Sequence, residues 1–103
     1  MQIDANGISI AYELAGPREA PVVVFSHSLA TNSAMWSPQF EALQETYRVL
    51  RYDTRGHGQT SAPAGAYDLQ MLAADAVALL DALDMARVNW VGLSMGGMIG
   101  QVM

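Results

Sequence analysis

The chain of 103 residues contains no cysteine, and this absence excludes several kinds of chemistry. Disulfide bonds, a thiolate nucleophile and cysteine-bound metal sites all require that residue. The absence fits a reducing compartment, so we expect a cytoplasmic protein. Two histidines alone do not make a metal site, and no cofactor is predicted.

Basic residues and long apolar runs are also scarce. Ten acidic residues outnumber five basic ones and give a formal charge of −5, which argues against nucleic acid or an anionic membrane as a partner. No apolar run approaches the ~20 residues that cross a bilayer, and no signal peptide is visible at the N-terminus. A hydrophobic content of 51% is ordinary for a globular domain. Small neutral or carbonyl-containing substrates remain candidates.

The strands are predicted from the pattern of apolar residues. Asn6 and Gly7 are a strong hairpin signal before the alternating residues 8–14, and they predict two antiparallel strands. Residues 22–25 are apolar without alternation, which is typical of a central parallel strand covered on both faces. A fourth strand at residues 47–52 and a fifth, buried strand at residues 88–91 complete the set.

Two helices are predicted between these strands. The first spans residues 39–46 and has a proline in its first turn. The second begins after Asp68 as its N-cap and repeats apolar residues at helical spacing. Asp75 and Asp81 of the second helix are predicted to face water. The alternation of strands and helices after an N-terminal hairpin predicts an α/β domain with a parallel core.

Residues 92–96 read Gly-Leu-Ser-Met-Gly and contain the most informative side chain, that of Ser94. They follow a predicted strand and precede a segment of small residues that is compatible with a helix, which is the context of a nucleophilic serine on a sharp turn. Such a serine requires a histidine base and an acid that orients it. The alternative is a chance match, with the glycines serving only close packing of the helix on the sheet.

The loop after residues 22–25 supplies the second group of candidate residues. The backbone amides of Leu29 and Met95 are predicted to donate hydrogen bonds to an oxyanion. His27 is predicted to bind loop backbone, and a role as the catalytic base is disfavoured because that histidine follows the serine in enzymes with this motif. Met35 and Trp36 either line an acyl pocket or belong to the core.

Residues 52–58 form the third segment, with the sequence Tyr-Asp-Thr-Arg-Gly-His-Gly. Asp53 and Arg55 are predicted to pair and to brace this loop, while the glycines permit tight turns. A catalytic role for Asp53 or His57 is the alternative on residue type alone. We favour the structural interpretation because loop architecture explains the segment without a proton relay.

Taken together, these segments resemble the N-terminal part of the α/β-hydrolase superfamily. The resemblance is closest to the 3-oxoadipate enol-lactonases of aromatic-compound degradation, in the β-ketoadipate pathway. It covers essentially the whole chain and rests on residues 26–29 with 35–36, on residues 51–58, and on residues 92–101. Related esterases, perhydrolases and cofactor-free haloperoxidases have similar N-terminal halves.

The resemblance implies that the protein hydrolyses a carboxylic ester or lactone through an acyl-enzyme at Ser94. It also implies that Leu29 and Met95 supply the oxyanion hole and that Asp53 and Arg55 form a loop-bracing pair. The expected substrate is a small enol-lactone such as that of 3-oxoadipate. An esterase or perhydrolase of the same fold is the alternative.

The resemblance further implies that the family's acid, its histidine base, its lid and its last three strands lie beyond Met103. We therefore expect residues 1–103 to be the N-terminal part of one domain, with an open edge on the strand at residues 88–91. The expected partners are a small ester or lactone and a complementary C-terminal polypeptide of the same hydrolase. Alone, the chain is expected to be nearly inactive. An inactive fragment that acts only by association, including self-association into a homo-oligomer, is a further alternative.

Overall fold

Five β-strands and three α-helices alternate along the computed structural model, which describes residues 1–103. The strands are β1 (Gln2–Ala5), β2 (Ile8–Ala15), β3 (Val22–Ser26), β4 (Arg48–Tyr52) and β5 (Asn89–Gly92). The helices are α1 (Ser37–Leu43), α2 (Leu69–Ala82) and α3 (Met95–Val102), and a 3₁₀ turn at Ser33–Trp36 precedes α1. None of the helices has both the length and the apolar character needed to cross a membrane.

The strands form one mixed sheet in the order β1-β2-β4-β3-β5. The N-terminal hairpin is antiparallel, β2 pairs antiparallel with β4, and β3 pairs in parallel with both β4 and β5. At the hairpin turn, Asn6 and Gly7 have φ angles of 51° and 79°, a left-handed region that these two residue types tolerate best. The predicted hairpin, the central position of β3 and the layered α/β class are confirmed.

Apolar side chains on the two faces of the sheet build two cores. Val24 of β3 contacts the larger core, to which α2 and α3 contribute residues such as Leu79 and Ile99. The neighbouring Val23 and Phe25 point to the opposite face and pack near Phe40 of α1. Because successive side chains of a strand alternate between faces, an uninterrupted apolar run fits a strand that is covered on both sides.

The helix boundaries follow local signals. Asp68 caps α2 as predicted, since its carboxylate accepts a hydrogen bond from the Met71 N–H at 2.8 Å. The first helix spans residues 37–43 rather than the predicted 39–46. It starts earlier because Pro38 occupies the first turn, where its missing N–H has no helical partner to lose.

The strand β5 lies at one edge of the sheet and pairs only with β3. Asn89 and Val91 are exposed, so the burial predicted for residues 88–91 is wrong, whereas the predicted open edge is present. Asn89 and Val91 pair with Val23 and Phe25 and so share their face of the sheet, where α1 packs on β4 rather than on β5. Two apolar side chains of the adjacent α3, Met98 and Val102, are also exposed.

Candidate active site

Ser94 occupies the sharp turn between β5 and α3. Its backbone has φ 53° and ψ −111°, a strained combination for any residue other than glycine. The turn is held on the sheet because the Leu93 N–H donates to the Ser26 carbonyl oxygen at 3.2 Å and the Gly96 N–H donates to the Leu93 carbonyl oxygen at 3.0 Å. Ser94 itself is exposed. The structure therefore presents this residue on the surface, at the carboxyl end of β5.

Two glycines on either side of Ser94 allow the backbone to pack this tightly. A side-chain carbon on Gly92 would overlap the backbone of Gly96 and Gly97. One on Gly96 would overlap the carbonyl oxygen of Ser26 in β3. Both glycines are thus required by close backbone approach.

The indole of Trp90 ties α3 to β5. Its Nε1–H donates to the Gly96 carbonyl oxygen at 2.9 Å. A side-chain carbon on Gly100 would lie 2.5 Å from the indole, so the small residue there leaves room for the ring. The ring of Trp90 packs against the larger core. Its hydrogen bond to the first turn of α3 is a second role that the strand pattern alone did not indicate.

The amides of Leu29 and Met95 both lie at the carboxyl end of the parallel strands. Ser26 of β3 is paired with Gly92 of β5. Leu29 lies three residues after Ser26, and Met95 lies three residues after Gly92. The Leu29 N–H donates to no group of the chain. The Met95 N–H is in the first turn of α3, where the helix offers no acceptor. Both amides are therefore unpaired donors at the carboxyl end of the parallel strands.

His27 is completely buried directly after β3. Its Nδ1–H donates to the Ser28 carbonyl oxygen at 2.8 Å, and its Nε2 accepts from the Thr54 N–H at 2.9 Å. Since a carbonyl only accepts and an N–H only donates, the imidazole is held as one neutral tautomer. Burial lowers the pKa of His27 below its ordinary value of 6.5. With both nitrogens engaged, the ring joins two loops and has no atom left to activate a serine.

Acidification is expected to destabilise the fold through His27. Because the folded-state pKa lies below 6.5, the unfolded chain binds the proton first. The stabilisation is therefore complete above pH ~6.5 and is lost as the pH falls towards the folded-state pKa, by at most about 1.4 kcal/mol per pH unit. Urea unfolding between pH 7.5 and 5.5 measures this slope. The control is His27→Asn, which keeps every other titrating group, and equal slopes for the two proteins would contradict the assignment.

Asp53 lies just beyond β4 and is buried. One carboxylate oxygen accepts from the Ser33 N–H at 2.8 Å, and the other accepts from the Gln59 N–H at 2.9 Å. The predicted pair of Asp53 with Arg55 is wrong, because Arg55 pairs with Asp75 and the Asp53 carboxylate binds backbone amides of two loops. The carboxylate thus connects the loop before α1 with the loop after β4.

Arg55 instead forms a bidentate ion pair with Asp75 of α2. The distances are 2.8 Å for Nε to Oδ2 and 2.8 Å for Nη2 to Oδ1. The side-chain amide of Asn6 donates to the same Oδ1 at 2.8 Å. The hydrogen bonds with Asp75 raise the pKa of Arg55 above its ordinary value. The prediction that Asp75 faces water is wrong, since only 2% of this residue is exposed.

A signal for the burial of Asp75 was present in the sequence. The residue lies three positions after Leu72 and four before Leu79, both of which are buried. Residues at these spacings share one face of a helix. An acidic residue inside the apolar stripe therefore indicated a buried carboxylate that needs a cation.

Met35 and Trp36 differ in their surroundings. The ring of Trp36 stacks on Phe25, with 5.0 Å between the ring centroids, and packs against the core near α1. The sulfur of Met35 lies 3.4 Å from the Ser28 nitrogen and so contacts the loop that carries Leu29. A cavity of about 620 Å³ lies between the N-terminal hairpin and the loops after β3 and β4, and neither residue lines it. Ser94 does not line it either.

Comparison with known proteins places this geometry in a family. Residues 21–103 match the alpha/beta hydrolase fold family. Over 99 residues the chain is 41% identical to 3-oxoadipate enol-lactonase 2 of Acinetobacter baylyi, covering 96% of this chain and 37% of that protein. It is 37% identical to a non-heme chloroperoxidase of Streptomyces lividans, covering 90% of this chain and 34% of that protein.

A solved structure gives the same result. The enol-lactonase from Burkholderia xenovorans superposes with a TM-score of 0.93 at 47% identity, covering 97% of this chain and 39% of that one. The chain thus spans 34% to 39% of the lengths of these three proteins. The match over residues 21–103 and the shared sheet show that the chain belongs to the α/β-hydrolase family.

Proposed function

We propose that the protein takes part in the hydrolysis of carboxylic esters or lactones, with Ser94 as the nucleophile. The observation that carries this proposal is the exposed position of Ser94 on a strained turn, with φ 53°, directly before α3. A strained backbone at an exposed residue lowers the stability of the fold, so its presence favours a functional role for the hydroxyl. Nucleophilic serines on strand-to-helix turns have this geometry.

The proposed reaction uses backbone donors to stabilise the developing charge. The Ser94 hydroxyl attacks the carbonyl carbon while its proton passes to a base, and the carbonyl oxygen becomes an oxyanion. The Leu29 and Met95 amides, which are unpaired in the chain, donate to that oxygen. The acyl C–O bond then breaks and its oxygen takes a proton, leaving as an alcohol from an ester or staying attached to the acyl group from a lactone. Water hydrolyses the acyl-enzyme to release the acid and restore Ser94.

We propose that the histidine base and its acid come from a complementary C-terminal polypeptide of the same hydrolase. His27 has both ring nitrogens bound to backbone groups, and the same is true of His57. Neither ring has a free nitrogen for the Ser94 proton. The open edge of β5 offers a place where a further strand can pair.

The substrate proposed first is a small enol-lactone such as that of 3-oxoadipate. The support is the 41% identity to a protein named as a 3-oxoadipate enol-lactonase and the 47% identity to a solved enol-lactonase. We propose Met35 as part of the acyl pocket, because its sulfur contacts the loop that carries Leu29. Trp36 stacks on Phe25 and is assigned to the core instead.

The test combines labelling with turnover. The chain is assayed with a fluorophosphonate probe, an enol-lactone and a p-nitrophenyl ester, both alone and together with the C-terminal polypeptide. We expect labelling at Ser94 and turnover when the two parts are assembled, and almost none from the isolated chain. Full turnover by the chain alone would overturn the need for a second part. An assembled protein that neither reacts with the probe nor turns over would overturn the hydrolase proposal.

A perhydrolase is the second candidate function. It is favoured by the 37% identity to a protein named as a non-heme chloroperoxidase. The two candidates share the proposed acyl-enzyme and differ in whether water or hydrogen peroxide accepts the acyl group. The rate of peracid formation against the rate of lactone opening, measured on the assembled protein, separates them.

A further inference from the structure

We infer that His57 is a positioning residue of the oxyanion hole. It acts through the backbone of Ala30 on the neighbouring Leu29, whose amide is the proposed oxyanion donor. The inference therefore rests on the proposed function. It assigns a role to the histidine of the segment at residues 52–58, which the proposed reaction does not use.

The imidazole of His57 connects two loops at the carboxyl end of the sheet. Its Nε2 accepts from the Ala30 N–H at 3.1 Å, and its Nδ1–H donates to the Arg55 carbonyl oxygen at 3.1 Å. Only the neutral tautomer with its proton on Nδ1 satisfies both partners, since an amide N–H cannot accept and a carbonyl oxygen cannot donate. The ring thus presents a fixed acceptor to the loop after β3.

The peptide that His57 holds is the central peptide of a tight turn. The Thr31 N–H donates to the Ser28 carbonyl oxygen at 3.3 Å, with Leu29 and Ala30 as the two central residues. Ala30 has φ 63°, whereas Leu29 is not in the left-handed region. A positive φ only at the third residue is the mark of a type II turn, which prefers glycine or asparagine there.

Because alanine is unfavourable at this position of a type II turn, the turn needs stabilising contacts with other parts of the chain. Rotation of the peptide between Leu29 and Ala30 converts a type II turn into a type I turn, which alanine adopts readily. That rotation would move the Ala30 N–H away from His57 and reverse the direction of the Leu29 carbonyl, because the two turn types differ in the ψ angle of their second residue. The hydrogen bond to Nε2 therefore holds the peptide that directly follows Leu29, and it fixes the tight turn to which the Leu29 amide belongs.

The support behind His57 is itself rigid. Its other partner is the carbonyl of Arg55, and the Arg55 side chain is bound at two points to the buried Asp75 of α2. The imidazole of His27 lies alongside, with 5.1 Å between the ring centroids. A chain of contacts thus runs from α2 to the turn that carries Leu29.

The test compares two substitutions of similar size in the chain assembled with its C-terminal polypeptide. His57→Leu removes the acceptor, whereas His57→Gln keeps an oxygen acceptor on a side chain of similar reach. We expect His57→Leu to lower kcat by roughly 10- to 100-fold with KM changed less than twofold, because the full loss of one oxyanion donor costs ~10²–10³. His57→Gln is expected to recover most of kcat.

A second substitution separates positioning from folding. Ala30→Gly removes the steric objection to a positive φ, so in the His57→Leu background it is expected to restore at least part of kcat. Wild-type kcat in His57→Leu, or equal losses in the Leu and Gln variants without rescue by glycine, would overturn the inference. Ser94→Ala is measured alongside, because activity that survives in that variant would refute the proposed function instead.

Discussion

Replacing Ser94 with alanine is expected to lower the hydrolysis rate of the assembled protein by roughly 10⁴- to 10⁶-fold. The substitution removes the hydroxyl of the proposed nucleophile, while the proposed oxyanion donors, the Leu29 and Met95 amides, remain. Some catalysis above the rate in water should therefore persist, because oxyanion binding does not depend on the nucleophile. Single-turnover kinetics with a p-nitrophenyl ester and the loss of fluorophosphonate labelling measure the effect.

The matched control for this prediction is Ser9→Ala. Ser9 lies in β2, which two other strands separate from β5, and its hydroxyl makes no hydrogen bond within the chain. Its loss should leave labelling and turnover within twofold of the wild type. Both alanine variants are expected to unfold at nearly the wild-type denaturant concentration. Retained turnover in Ser94→Ala would refute the nucleophile.

Replacing Asp75 with alanine is expected to destabilise the protein by about 3–5 kcal/mol. The change leaves the Arg55 guanidinium without a counter-charge, although the side chain of Arg55 is only 10% exposed. It also removes the acceptor of the Asn6 amide in the hairpin turn. Since a typical domain is stable by only about 5–15 kcal/mol, this loss is a large share of the total. Guanidinium chloride unfolding followed by circular dichroism measures it.

Asp81→Ala is the control on the same helix. Asp81 is exposed, so its removal should change the free energy of unfolding by less than about 0.5 kcal/mol. The double variant Arg55→Met with Asp75→Leu removes both charges and should be more stable than Asp75→Ala alone. Equal effects of Asp75→Ala and Asp81→Ala would show that the ion pair does not stabilise the fold.

The features predicted correctly from the sequence depend on neighbouring residues. The hairpin follows from Asn6 and Gly7, and the start of α2 follows from Asp68. The turn at Ser94 follows from the order of an apolar strand, a glycine-flanked serine and a helix. In each case the residues that determine the structure lie within a few positions of one another, so their pattern is visible before the chain is folded.

The features that were missed depend on contacts between distant parts of the chain. Arg55 has an acidic residue two positions away, yet its partner Asp75 lies 20 positions along the sequence. The bond between His57 and Ala30 joins residues 27 positions apart. These pairs form only when the sheet brings the loops close together in space. The number of residues between two partners does not show how close they lie in the fold. The burial of Asp75 is visible in the helical spacing, whereas its partner Arg55 and the partner of the His57 imidazole are set only by the folded chain.

The packing between Trp90, Gly96 and Gly100 limits which positions of the turn and of α3 can be substituted without disturbing the fold. A larger residue at either glycine would push the indole or the β3 backbone aside, so these positions have little mutational tolerance. Leu93 and Met98, by contrast, are 51% and 46% exposed. A library that varies this turn should keep the glycines fixed and place its substitutions at those two exposed positions.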